Sequence, residues 1–197
     1  MRRHLPEDRW LVLLILAICA SCGAGAREPL RTDAPGRQGY TEGDVRFVQA
    51  MIPHHAQALT MTDLVPERTG NEAMHRLARR IEVSQRDEIA IMERWLERRA
   101  ETVPEAHLHG SLMPGMLTEE ELARLAAARG NEFDRLFLEF MIRHHEGALV
   151  MVTDLFSGGG GQEAEIFQFA SHVDADQRAE ISRMRGMLII LIQEGNE

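Results

Sequence analysis

The 197-residue chain carries 31 acidic against 22 basic side chains, a formal net charge of −9. That balance argues against nucleic acid, whose phosphates need a basic surface. Its two cysteines are Cys19 and Cys22, so beyond residue 22 no disulfide and no thiolate metal ligand is available.

Residues 1–21 read as an export signal. Arg2, Arg3 and Arg9 make a basic start, and Trp10 to Ala20 makes an apolar stretch too short to span a bilayer. Two cleavage sites compete. Cys22 after Ala20-Ser21 resembles a lipoprotein site and would carry a lipid anchor, although Cys19 stands where an aliphatic residue is usual; a cut after Ala26, in Ala24-Gly25-Ala26, would leave no anchor. Both put the mature protein outside the cytoplasm, cell-surface or periplasmic. Without residues 1–21 it keeps 19 basic and 29 acidic side chains, a net charge of −10. Residues 22–40 lack periodicity and suit a flexible tether.

From Thr41 the pattern turns helical. Thr41-Glu42-Gly43-Asp44 offers an N-cap with an acid three residues on, and Phe47, Met51, His54, His55, Ala58 and Met61 follow on one stripe. Pro53 falls inside this helix, where it removes an amide donor and is expected to bend the axis. Pro66, Gly70 and Asn71 end it, and a second helix is expected from about Glu72 to Ala100, with Leu77, Ile81, Ile89, Met92 and Leu96 inward and Gln85-x-x-Glu88-Ile89-x-x-Met92 at its centre. A linker, 101–117, holds His107, His109, Met113 and Met116 around Pro114-Gly115, and Thr118 introduces a short helix to Ala128.

The second half then repeats the first. Aligned from Asp44 and Asp134, two eighteen-residue windows agree at nine positions, so that Met51, His54, His55 and Met61 return as Met141, His144, His145 and Met151. Gln177-x-x-Glu180-Ile181-x-x-Met184 repeats the second helix at an offset of 92 rather than 90, and Gly158 to Gly161 can absorb the two extra residues. No segment alternates with period two for long enough to suggest a strand. The expected architecture is an all-α domain, 41–197, with halves 41–100 and 118–197 forming two duplicated hairpins in a four-helix bundle and the linker crossing one end.

The repeated Met-x-x-His-His with its trailing Met, the Gln-x-x-Glu-Ile-x-x-Met helix and the Met-Pro-Gly-Met linker together resemble domain-of-unknown-function family 305, over roughly residues 40–193. The resemblance implies a ferritin-like fold, and copper binding in the manner of some exported members linked to copper resistance. It carries over to Met51, His54, His55, Met61 and Met92 in one half, to Met141, His144, His145, Met151 and Met184 in the other, and to Met113 and Met116. Pro53, where the second half has Arg143, departs from the repeat.

Chemically, imidazole and thioether together favour Cu(I) by softness, whereas Mg, Ca and Mn prefer oxygen. These ten His and Met residues are the candidate ligands, with His107, His109, Met113 and Met116 a separate accessory set, and Gln85, Glu88, Gln177 and Glu180 placed to orient imidazoles. The bland alternative is that the methionines fill an irregular core, the His pairs form a polar layer satisfied by those Gln and Glu residues, and Pro114-Gly115 merely turns the chain. A di-iron oxidase would need two Glu-x-x-His pairs. Glu72-x-x-His75 is one, but Glu165 is followed by Gln168 at the matching spacing, and Gly158 to Gly161 lacks the Lys-Ser/Thr of a phosphate loop. The expected function is copper sequestration or transfer without catalysis. The alternative is a structural, partner-binding lipoprotein, for which the apolar run Met187 to Ile192 would dock a second copy if it does not close the hairpin core. Expected partners are thus the metal ion, a copy of itself or a metal-transfer protein, and a membrane solely through Cys22.

Overall fold

The computed structural model describes residues 39–105 and 113–194. The export signal, Cys22, the tether up to residue 38, His107 and His109 lie outside these residues. Six helices follow in order: α1 (Glu42–Thr62), α2 (Val65–Arg68), α3 (Glu72–Arg98), α4 (Glu119–Ala127), α5 (Gly130–Ser157) and α6 (Ala164–Glu194), and the described residues contain no strand.

The starts are set by side-chain caps. Thr41 accepts from the amide of Asp44, whose carboxylate accepts from the Thr41 amide, and Thr118 and Glu121 form the same reciprocal pair ahead of α4. Asn71 caps α3 through Ala73. Pro66 does not simply end α1: it sits in the first turn of α2, where a missing amide hydrogen costs nothing. α1 runs on through the buried Pro53.

α1 packs on α3 and α5 on α6, and the two hairpins meet through α1 and α5. Two apolar clusters result. One gathers Met61, Met141 and Met184 with Leu77, Ile81 and Phe137; the other gathers Met51, Met92 and Met151 with Val48, Trp95 and Phe169. In repeat terms each cluster takes the leading Met and the Gln-x-x-Glu-helix Met from one half and the trailing Met from the other. The duplication is therefore interlocked, not two independent cores side by side.

The repeated aspartates fasten the same exchange. Asp44, at the start of α1, accepts the Gly161 amide at 2.6 Å from the turn between α5 and α6. Asp134, near the start of α5, accepts the Asn71 side-chain amide at 2.8 Å from the turn ahead of α3. Gly159 and Gly161, at φ +85 and +70, let the longer second turn reach Asp44.

Two expectations need correction. Tyr40 is no part of a tether: its ring is fully buried edge-on to Trp95 at 5.4 Å, and its hydroxyl donates to Glu101. The described C-terminal end of the linker does not lie across one end of the bundle. Residues 113–117 lie against the middle of α1 and α5, because Gly115 and Gly147 lack the Cβ atoms that would hold them apart. In the run Met187 to Ile192, Met187, Leu188 and Leu191 pack on the core, while Ile189, Ile190 and Ile192 are exposed.

Candidate metal centre

His54 and His55 on α1, and His144 and His145 on α5, are all essentially buried where the two hairpins meet. The His54 and His144 rings stand 4.0 Å apart across the junction, tilted by 36°. Each lies about 6 Å from its sequence neighbour, 6.2 Å for His54–His55 and 6.1 Å for His144–His145. Adjacent residues on a helix diverge by about 100°, so one His of each pair faces the opposite hairpin and the other faces its own.

The outer pair, His55 and His145, each meet a carboxylate. Nε2 of His55 donates to Glu88 at 2.6 Å, and Nε2 of His145 donates to Glu180 at 2.7 Å. The inner pair donates to main chain: His54 Nε2 to the Pro114 carbonyl and His144 Nε2 to the His54 carbonyl, both at 3.0 Å. In all four, Nε2 faces an oxygen that an N–H alone can satisfy, so a neutral ring keeps its lone pair on Nδ1. Among the described residues none of the four Nδ1 atoms has a hydrogen-bond partner, although all are buried.

Burial dominates the electrostatics of the inner pair. It lowers the His54 pKa to about 3, with repulsion from His55 and His145 adding to it and the bond to Pro114 opposing it. His144 lies well below its ordinary value for the same first reason, reinforced by His54, His145 and His55. Both rings are thus neutral, the form that ligates a metal.

The donor set is incomplete in one respect. No three His, Asp or Glu side chains among the described residues converge on one point. The other candidate donors are Met51, Met61, Met92, Met141, Met151 and Met184, which are buried, as is Met74 outside the candidate set. Imidazole nitrogen and thioether sulfur are together donor types that suit a soft ion.

The remaining candidates divide. Glu88 and Glu180 orient His55 and His145 as just described. Gln85 and Gln177 are buried but do not pair with imidazole: both polar atoms of Gln85 and Nε2 of Gln177 have no partner among the described residues. Met113 and Met116 belong to a turn in which the Met116 amide bonds the Met113 carbonyl around Pro114 and Gly115, the latter at φ +78. Their main-chain neighbour Pro114 holds His54, while their own side chains stay partly exposed. His75 of the lone Glu-x-x-His pair donates to the Thr69 carbonyl and anchors a loop.

Three contributors were missed in the sequence. Gln57 holds the linker through Leu117, donating at 3.0 Å to its carbonyl and accepting at 2.7 Å from its amide. Arg143 pairs with both oxygens of Glu121, each at 2.7 Å, which lowers the Glu121 pKa. Asp176 sits near Glu88 and Glu180, and its pKa is raised first by burial and then by those two carboxylates. A signal existed for two of them: Gln57 and Arg143 stand where the repeat fails, opposite Gly147 and Pro53.

Fold and site define a duplicated all-helical domain built around four buried imidazoles. The family model described as Domain of unknown function (DUF305) matches residues 44–188, and the chain belongs to that family. Among solved structures it is similar to a DUF305 fragment from Deinococcus radiodurans, at 35% identity over 76% of this chain and 97% of that one, with a TM-score of 0.67. A DUF305 protein from Streptomyces coelicolor, named as secreted, is 27% identical over 76% and 93%, with a TM-score of 0.68. CopM in its Cu(I)-bound form is 28% identical over 73% and 94%, with a TM-score of 0.61; CopM structures with Cu(II) and Ag are similar as well. No curated protein matches the chain.

Proposed function

We propose that the protein binds copper as Cu(I) through Nδ1 of His54, His55, His144 and His145 and the thioethers of Met51, Met61, Met92, Met141, Met151 and Met184, and that it sequesters or hands over the ion without catalysis. One observation carries the reading: four buried imidazole nitrogens, all with the same ring orientation enforced at Nε2, have no partner. A polar packing layer would leave at most a few such groups, because each buried unpaired acceptor costs free energy. A metal ion is the partner that converts this cost into affinity. The similarity to CopM structures holding Cu(I), Cu(II) and Ag supports copper or a like ion, and with no cysteine beyond residue 22 thioether is the one soft ligand left to it.

Export belongs to the same reading, supported by the basic and apolar N-terminal segment and by the secreted relative. Thioether and imidazole ligands suit an oxidising compartment, where thiols would pair into disulfides.

Anaerobic titration with Cu(I) against a chromophoric chelator tests the proposal. Wild-type protein is expected to compete, and a variant with all four histidines changed to Gln to lose at least a hundredfold in affinity while keeping its helical spectrum. Equal competition by the two proteins would remove the site.

A further inference from the structure

Residues 113–118 form a strap over the seam between α1 and α5. Its C-terminal end is anchored by the buried Leu117 and by polar contacts, its Met113 end is partly exposed against the second apolar cluster, and a bare main-chain approach runs between them. Gln57 bonds both main-chain groups of Leu117. Glu121, just beyond the strap, forms its forked pair with Arg143 of α5. Gly115 lies so close to α5 that a methyl on Gly147 would stand 1.9 Å from the Pro114 carbonyl oxygen. That same carbonyl accepts from His54. The strap thus supplies the acceptor that fixes one ring of the inner His pair.

Beside the strap an open cleft of about 470 Å³ lies between the N-terminal half of α1 and the C-terminal half of α5. Met113 and Pro114 form its strap side, with Phe47, Ala50, Met151 and Leu155 across from them. Met113 is partly exposed and Met151 is buried at 8%, so the cleft presents one thioether from the strap and a second at greater depth. Arg46 and Asp154 also line the cleft, one charge of each sign, and beyond them the neutral sulfurs are donors that suit a soft ion.

We propose that this cleft is the entrance for the soft metal ion and that the strap is its gate, with Gln57 as the positioning residue that sets how often the gate lifts. The inference rests on the copper-binding reading and adds the route and its control. Peptide-bond pairing by a glutamine amide is well suited to the task, because it imitates a strand-to-strand bond yet exchanges readily with water at a half-exposed position. Loss of two neutral hydrogen bonds corresponds to about a tenfold or greater rise in the population of the lifted state.

The test uses Gln57→Ala in the metal-free protein and then with Cu(I). Diethylpyrocarbonate labelling, located by peptide mass, is expected to modify His54 and His144 about tenfold faster than in wild type, with the exposed His172 unchanged as internal reference. Cu(I) association and dissociation rates are expected to rise by that same factor, leaving affinity within twofold, because a gate acts on both directions equally. Arg143→Ala, which releases the other fastening, should act in the same sense. Wild-type labelling and exchange rates in variants that still bind Cu(I) would overturn the gate alone. Failure of wild-type protein to bind Cu(I) would overturn the metal reading and the entrance with it, and the labelling would still report whether the strap moves.

Discussion

Acid should destabilise the metal-free protein well before most of its carboxylates titrate, and His54 should account for a defined share. Its folded pKa, about 3, lies below the unfolded value near 6.5. Between the two the unfolded chain binds the extra proton, so stability is full above about pH 6.5 and falls as pH is lowered toward 3. The slope in that window is insensitive to the folded value. One such histidine removes about 0.8 kcal/mol at pH 6 and about 2.1 kcal/mol at pH 5, a difference of about 1.2 kcal/mol. His144, held neutral by the same burial, acts in the same direction and steepens the dependence further. Urea denaturation at pH 7, 6 and 5 with a chelator present measures it. His54→Gln should lie flatter than wild type by about 1.2 kcal/mol between pH 6 and 5. Parallel curves for the two proteins would show that His54 charges freely in the folded state, and the argument from a neutral buried pair would fall.

Other consequences follow from single contacts. Glu88→Ala leaves the His55 Nε2–H buried without an acceptor and should cost about 1–3 kcal/mol in thermal or urea unfolding, most of it recovered by Glu88→Gln; Glu180 behaves alike toward His145. Gly147→Ala forces a methyl onto the Pro114 carbonyl and should destabilise by about 2 kcal/mol or more, with accelerated exchange of the Leu117 amide in the same protein. Asp44→Ala loses both a helix cap and the bond to Gly161, so it should cost more than Asp134→Ala, whose carboxylate makes one bond to Asn71; about 1–3 kcal/mol against about 1 kcal/mol is expected. Equal losses would mean that the Gly161 bond contributes nothing.

The helices were legible because their signals are local. The capping boxes at Thr41 and Thr118 and the apolar period of α3 depend on residues a turn apart, and the duplication at 90 and then 92 residues located the inserted glycine turn. The inward direction of the His and Met residues was legible for the same reason. What escaped was long-range main-chain contact. Nothing in Met113-Pro114-Gly115-Met116 says that its carbonyl will meet an imidazole sixty residues earlier, and nothing around Gln57 says that its amide will read a peptide bond at Leu117. The same limit hid the burial of Tyr40, whose partner Trp95 lies at the far end of the second helix. Yet two of the nine positions at which the repeated windows differ, Pro53 against Arg143 and Gln57 against Gly147, lie where the strap runs. A single linker cannot contact two symmetric halves alike, so symmetry fails where it passes.

The crosswise sharing of methionines and aspartates also speaks to ancestry. Each hairpin has its turn tied by an aspartate of its twin and its cluster completed by a thioether of its twin. A hairpin of that kind has no reason to persist alone, but two identical copies would complete one another about a twofold axis. The present chain has the form of such a homodimer joined head to tail, in which fusion supplied something that the pair could not make for itself: one strap, belonging to neither half, laid across the axis.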